Sequence, residues 1–306
     1  MNVLLTGATG IVGRRAVPLL VAAGHRVTAV GRTPEKRAAL RAQGATPVDV
    51  DLFDRAAVAR AAEGHDAVVN LATRIPATAV AMMRPGAWRE NDRLRRDASA
   101  VLADAARAAG AVRLVQESFA PMLADGGDAW LDAASPVQPA RYNRTALRAE
   151  RHALAFTGPG RAAVVLRFGL FYGPDSAASR DMLRIVRRGV SPLPGRAGAF
   201  VSSVHVDDAA SAVVAGLGAP AGVYIVGDDV PLTRRAFADA LAAAAGVPPP
   251  RLLPAWTARL MGPAGALLAR SVRASNRAFR EATGWSPRYP SAREGWAAVA
   301  AAIAAE

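Results

Sequence analysis

The chain has no cysteine, which excludes disulfides and thiolate metal sites and fits a reducing compartment. Its four histidines, His25, His65, His152 and His205, share no ligand spacing, so no metal site is expected. Lysine is nearly absent: Lys36 stands alone, and arginine carries the rest of the positive charge. No run of about eighteen apolar residues is free of charges or breakers, so no membrane span is expected. The amino-terminal residues lack the basic start, long apolar stretch and small-residue cleavage site of a secretory leader, and the expected location is cytoplasmic.

What is present describes a globular chain. Its 306 residues are 52% hydrophobic and 21% charged, enough to bury a large core. A net charge of +13 raises the question of nucleic acid. The basic residues form no run, however, and no helix-turn-helix, RRM or zinc-finger pattern accompanies them, so no nucleic-acid partner is expected. The excess charge would instead draw an anionic small molecule, free or held on an acidic carrier.

Short apolar strands alternate with amphipathic segments over the first two-thirds. Strands are expected at 2–6, 26–31, 46–50, 65–71, 112–117 and 162–170, and helices at 11–23, 35–43, 54–63, 92–109 and 142–156. The strands are nearly continuous in Val, Leu and Ala, the mark of a parallel sheet covered on both faces. The fold class is therefore α/β, a Rossmann-type doubly wound sheet over residues 1–170. Residues 171–306, punctuated by Pro and Gly, read as a smaller α/β substrate lobe. It holds short strands at 200–204 and 222–226, the latter a candidate to rejoin the main sheet, and helices near 207–217, 233–245, 254–269 and 292–304.

Gly7, Gly10 and Gly13 lie between the first strand and the first helix in TGATGIVG. Glycines at this spacing permit a tight turn and a close backbone approach to a pyrophosphate, which the following helix N-terminus attracts. Thr9, Ile11 and Val12 belong to the same turn. At the end of the second strand, where an NAD site usually carries an acid for the ribose hydroxyls, the chain has Gly31-Arg32, with Lys36 nearby. Cations there suit a 2′-phosphate, so NADP(H) is favoured and NAD(H) stays open. Asp51 and Leu52 close the third strand on the adenine side; Leu71, Ala72 and Thr73 close the fourth on the nicotinamide side.

The ordered series TGATGIVG, VDVDLFD, VVNLAT, ESF, YNRTA, LRFGLFYGP, VHVDDAASAVV, YIVGDD and TGWSPRYPSAREGW resembles the extended short-chain dehydrogenase/reductase family, the NAD-dependent epimerase/dehydratase group, over essentially the whole chain. The resemblance implies a Rossmann domain with a substrate lobe, a nicotinamide cofactor and pairing of two copies through helices of the main domain. It also implies a Ser or Thr ending the fifth strand and a Tyr-x-x-x-Lys pair on the next helix. Ser118 matches the serine, and Tyr142 matches the tyrosine in both its catalytic and its cofactor-contacting role. Ala146 occupies the lysine position.

That departure has a chemical consequence. A phenol with a reference pKa of about 10 is phenolate in roughly one molecule in a thousand at pH 7, and lowering it by about three units takes roughly 4 kcal/mol. Alanine supplies none of this. Arg144 is off the tyrosine face, Thr145 is on roughly the right face and could hydrogen-bond the ribose but is uncharged, and an arginine from another segment, such as Arg74 after the fourth strand, is a candidate to approach. Glu117, beside Ser118, is a candidate general acid or base. Arg167, Tyr172 and Arg251 are candidates to shape the substrate pocket, and His205 to brace the lobe junction. The leading expectation is an NAD(P)-dependent oxidoreductase or epimerase-like enzyme; because a neutral tyrosine can still donate a proton, NADP(H)-dependent reduction of a small-molecule carbonyl is favoured. The alternative is a non-catalytic NADP-binding sensor.

Overall fold

Val3 and Leu5 pack on one face of the central sheet and Leu4 on the other, because successive side chains of a strand alternate in direction. In the computed structural model, which describes residues 1–76, 84, 86–260 and 262–306, this alternation runs through seven parallel strands. They are β1 (Asn2–Thr6), β2 (Arg26–Val30), β3 (Thr46–Val48), β4 (Ala67–Asn70), β5 (Arg113–Phe119), β6 (Ala162–Phe168) and β7 (Gly222–Val226). Their order across the sheet is β7-β6-β5-β4-β1-β2-β3. The order reverses at β1, between β4 and β2, which opens a crevice at the carboxyl ends of the strands.

Each face of the sheet has its own core. Helix Gly13–Ala22 and helix Val206–Gly216 cover one; helices Arg55–Ala62, Ser99–Ala108 and Ala146–Leu154 cover the other. A third cluster, centred on Trp296, Tyr172, Phe237 and Leu241, forms the core of the carboxyl-terminal lobe. Strand β7 pairs with β6 in the register Gly222↔Val164, so residues 206–226 return to the main sheet and its covering layer. Among the described residues no helix is long and apolar enough to cross a membrane.

Several elements differ from the sequence reading for identifiable reasons. The first helix starts at Gly13 instead of Ile11, because the glycine turn occupies 7–12. The long helix expected over 92–109 is three pieces: Arg89–Arg93, a π-helical turn Leu94–Ala98, and Ser99–Ala108. The stretch 142–156 opens with a 3₁₀ turn, Arg141–Asn143, and becomes α-helix at Ala146. The expected strand 200–204 is two short strands, Phe200–Val201 and Ser203–His205, with different partners. The helix expected over 254–269 is described as Thr257–Leu260 and Gly262–Leu268.

Candidate active site

The crevice begins at the glycine turn. Gly7 takes φ +70°, and a Cβ there would lie 2.3 Å from the Leu71 carbonyl. A Cβ on Gly13 would lie 2.2 Å from the Gly7 oxygen. Gly10 N–H donates to that same oxygen at 2.9 Å. The turn therefore folds onto both the helix start and the end of β4, leaving backbone instead of side chains facing the crevice, which fits a pyrophosphate.

A cavity of about 230 Å³ extends from the turn, lined by Gly7, Thr9, Gly10, Arg32, Lys36, Asp51, Leu52, Leu71, Ala72 and Thr73, among others. These ten expected cofactor residues come together across β1, β2, β3 and β4. Ile11, Val12 and Gly13 do not line it: Ile11 packs against the core and Val12 is buried. At the adenosine end Arg37 is engaged by Asp49 at 2.7 Å and by the Gly31 carbonyl. Arg32 and Arg74 both approach Glu90, at 3.8 and 3.7 Å. Asp51 is the one carboxylate among the described lining residues.

The floor between the strands is a polar chain. Thr6 Oγ1 donates to Asn70 Oδ1 at 2.7 Å, and Asn70 Nδ2 donates to Gln116 Oε1 at 2.9 Å. All three side chains are buried, which fixes the ends of β1, β4 and β5 against one another.

The reacting end differs from expectation. Tyr142 lines a second cavity, of about 920 Å³, and not the first. Its ring lies 4.3 Å from that of Trp88, tilted by 35°. Burial pushes its phenol up to about 12, against the opposing pull of Arg270 and Arg95. Ala146 is fully buried. Thr145 donates to Asp92 at 2.7 Å, which turns it away from the ribose role considered for it. Arg74 lines the first cavity beside Glu90.

Ser118 does not present a free hydroxyl. Its Oγ donates to Glu150 Oε1 at 2.6 Å in a buried site, and Arg167 donates to both oxygens of Glu150, at 2.8 Å each. Ser118 and Arg167 are register partners on β5 and β6, so the strand pairing itself assembles the group. This also removes Arg167 from the substrate pocket. Glu117 points the other way, as the next residue of a strand must, and is held by Arg95 at 3.1 Å with both side chains buried. Tyr172 is stacked on Trp296 inside the lobe core, and Arg251 is exposed, with its backbone bonded to Gly189 and Ser191. His205 caps helix Val206–Gly216 by accepting from Asp207 N–H, at the junction where Arg15 binds Asp207 and Asp175. Among the described residues no cluster is able to hold a metal.

Two participants were missed. Glu150 carries no local mark in the sequence; it matters through Ser118 and Arg167, which the pairing of β5 with β6 brings to it. Asn91, fully buried, accepts the Arg74 backbone N–H at 2.9 Å; nothing local distinguishes it in sequence.

Comparison with known proteins gives a consistent picture. Residues 3–227 match the NAD dependent epimerase/dehydratase family. A 3-diazoavenalumate denitrifying reductase from a Streptomyces species is 38% identical over 96% of this chain and 99% of its own. Among solved structures, the human epimerase family protein SDR39U1 with NADPH superposes with a TM-score of 0.81 at 23% identity, covering 98% of this chain and 99% of that one. The UDP-glucose 4-epimerase of Thermus thermophilus, solved with NAD, superposes with a TM-score of 0.76 at 24% identity, covering 99% of each chain.

Proposed function

The chain belongs to the NAD-dependent epimerase/dehydratase family and is an NAD(P)-dependent oxidoreductase, and we propose that within this family it is an NADP(H)-dependent reductase of a small-molecule electrophile. One observation carries the direction of reaction: the Tyr142 phenol is pushed up to about 12 by burial, with alanine where a cation would lower it. A phenol in that state keeps its proton at neutral pH. It can give a proton to a developing alkoxide, but it cannot readily take one from a carbinol, so reduction is supported over oxidation.

The glycine turn would seat the pyrophosphate against the backbone N–H groups at the start of the first helix, and Arg32 and Lys36 would hold a 2′-phosphate. When bound, the reduced cofactor supplies hydride. Tyr142 then has one task, proton donation to a carbonyl oxygen. For a substrate reacting as an aryl diazonium, the class suggested by the name of the Streptomyces relative, hydride forms the new C–H bond as the C–N bond breaks and N₂ leaves, so no proton is needed and the loss of the lysine is harmless there.

The test is consumption of NADPH with panels of ketones, aldehydes and aryl diazo acids. Turnover of a carbonyl that disappears in Tyr142→Phe, or turnover of a diazo acid that survives it, supports the reading. The sensor alternative draws on the tying-off of Ser118 and Glu117 in buried pairs. It gains if NADPH binds tightly and nothing is reduced.

A further inference from the structure

The cavity around Tyr142 has a lopsided wall. Among the described residues its lining includes six arginines and a single carboxylate, Asp92, and Asp92 already accepts from Thr145. Arg89, Arg141 and Arg259 reach it from three separate segments: the helix Arg89–Arg93, the turn before Tyr142 and the lobe helix Thr257–Leu260. All three are exposed, and none has a carboxylate partner within 4 Å among the described residues. The apolar part of the wall is Trp88 and Tyr142, together with Leu260 and Pro263 of the lobe. Consecutive residues line the two cavities, Arg93 this one and Leu94 the one at the glycine turn, so the two lie side by side.

Unpaired arginines converging on a concave space attract an anion, and their planar forks match carboxylate or phosphate oxygens in pairs. The volume of about 920 Å³ suits a drug-sized ligand and is too small for a nucleic-acid duplex. The aromatic platform includes the reacting tyrosine itself. A flat ring stacked there would place its own substituent carbon at the phenol. A nucleotide sugar would need its base far from the phenol and its sugar beside it, the reverse of this arrangement.

Resting on the reductase reading of this same site, we propose that the cavity binds a planar aromatic anion, its ring against Trp88 and Tyr142 and its carboxylate or phosphate on Arg89, Arg141 and Arg259. The anion belongs either to a free aryl acid or to the phosphate of a carrier arm bearing the aryl group as a thioester.

Titration calorimetry on the full chain, with and without NADPH, tests this using 4-hydroxycinnamate, its methyl ester, 4-hydroxycinnamoyl-pantetheine 4′-phosphate and UDP-glucose. The acid is expected to bind at least about tenfold more tightly than the ester, as paired charged hydrogen bonds predict. The double variant Arg141→Gln/Arg259→Gln is expected to weaken the acid by about fivefold or more and to leave the ester unchanged. Trp88→Leu should weaken both. Tighter, arginine-dependent binding of the pantetheine phosphate assigns the anion to a carrier, and tighter binding of the free acid assigns it to a carboxylate. Equal affinity for acid and ester, no loss in the double variant, or preference for UDP-glucose overturns the proposal. Because the acid is also titrated without NADPH, failure of cofactor binding would count against the reductase reading and leave this result separate.

Discussion

The Ser118 hydroxyl donates a 2.6 Å hydrogen bond to Glu150, and Glu150 is in turn the sole carboxylate on the buried Arg167 guanidinium among the described residues. The serine at the catalytic position is thus part of a structural pair. Ser118→Ala should cost about 2 kcal/mol in urea unfolding, the scale of a hydrogen bond to a charged group, and leave NADPH turnover within about tenfold. Glu150→Gln, which leaves Arg167 buried without a counter-charge, should cost about 3–5 kcal/mol. A collapse of turnover in Ser118→Ala at unchanged stability would return the serine to the reaction.

The phenol of Tyr142, at about 12, is a proton donor throughout the neutral range. Its donor form is complete below that value and is lost only as pH rises through it. Carbonyl reduction at saturating NADPH should therefore be flat from about pH 6 to about pH 10. A descending limb near pH 8 would mean that some cation reaches the phenol after all.

Arg32 and Lys36 line the cavity at the glycine turn, and β2 ends without a carboxylate. Arg32→Glu should weaken NADPH by about tenfold to a hundredfold, as loss of a charge-assisted phosphate contact and its replacement by repulsion predict, and leave NADH affinity nearly unchanged. Competitive fluorescence titration of both nucleotides reads the ratio, and equal losses for the two would remove the 2′-phosphate assignment.

His205 and Asp208 pull acid stability in opposite directions. Burial lowers His205 to about 4 from 6.5, so the folded state favours its neutral form. That contribution is complete above about pH 6.5 and is lost as pH falls through about 4. Burial raises Asp208 to about 6 from 3.8, so the folded state favours its protonated form. That contribution is complete below about 3.8 and is lost as pH rises through about 6. His205→Asn should therefore lose less stability than the parent between pH 7 and pH 5. Urea midpoints at the two values decide it, and a variant that is equally or more acid-sensitive would show that His205 titrates normally.

What could be read from the chain divides by distance in sequence. Gly7, Gly10 and Gly13 act on their immediate neighbours, so their spacing alone conveyed the turn, and the Val- and Leu-rich strands conveyed a sheet covered on both sides. The direction of Ser118 was harder. Its neighbour Glu117 faces the opposite side, and the partner that captures it, Glu150, becomes relevant only once Arg167 on β6 lies alongside β5. The break of 92–109 into helix, π-turn and helix also has no local mark, since Leu94–Ala98 contains neither Gly nor Pro. The arginines around Tyr142 come from three segments that only the folded chain brings together.

The contact between Gly7 and the Leu71 backbone, too close for even a methyl group, welds the glycine turn to the end of the fourth strand. Anyone wishing to retarget this protein to another nucleotide therefore has no adjustable part in the turn itself. The workable dial is the Arg32–Lys36 rim, which can be rewritten without disturbing the weld.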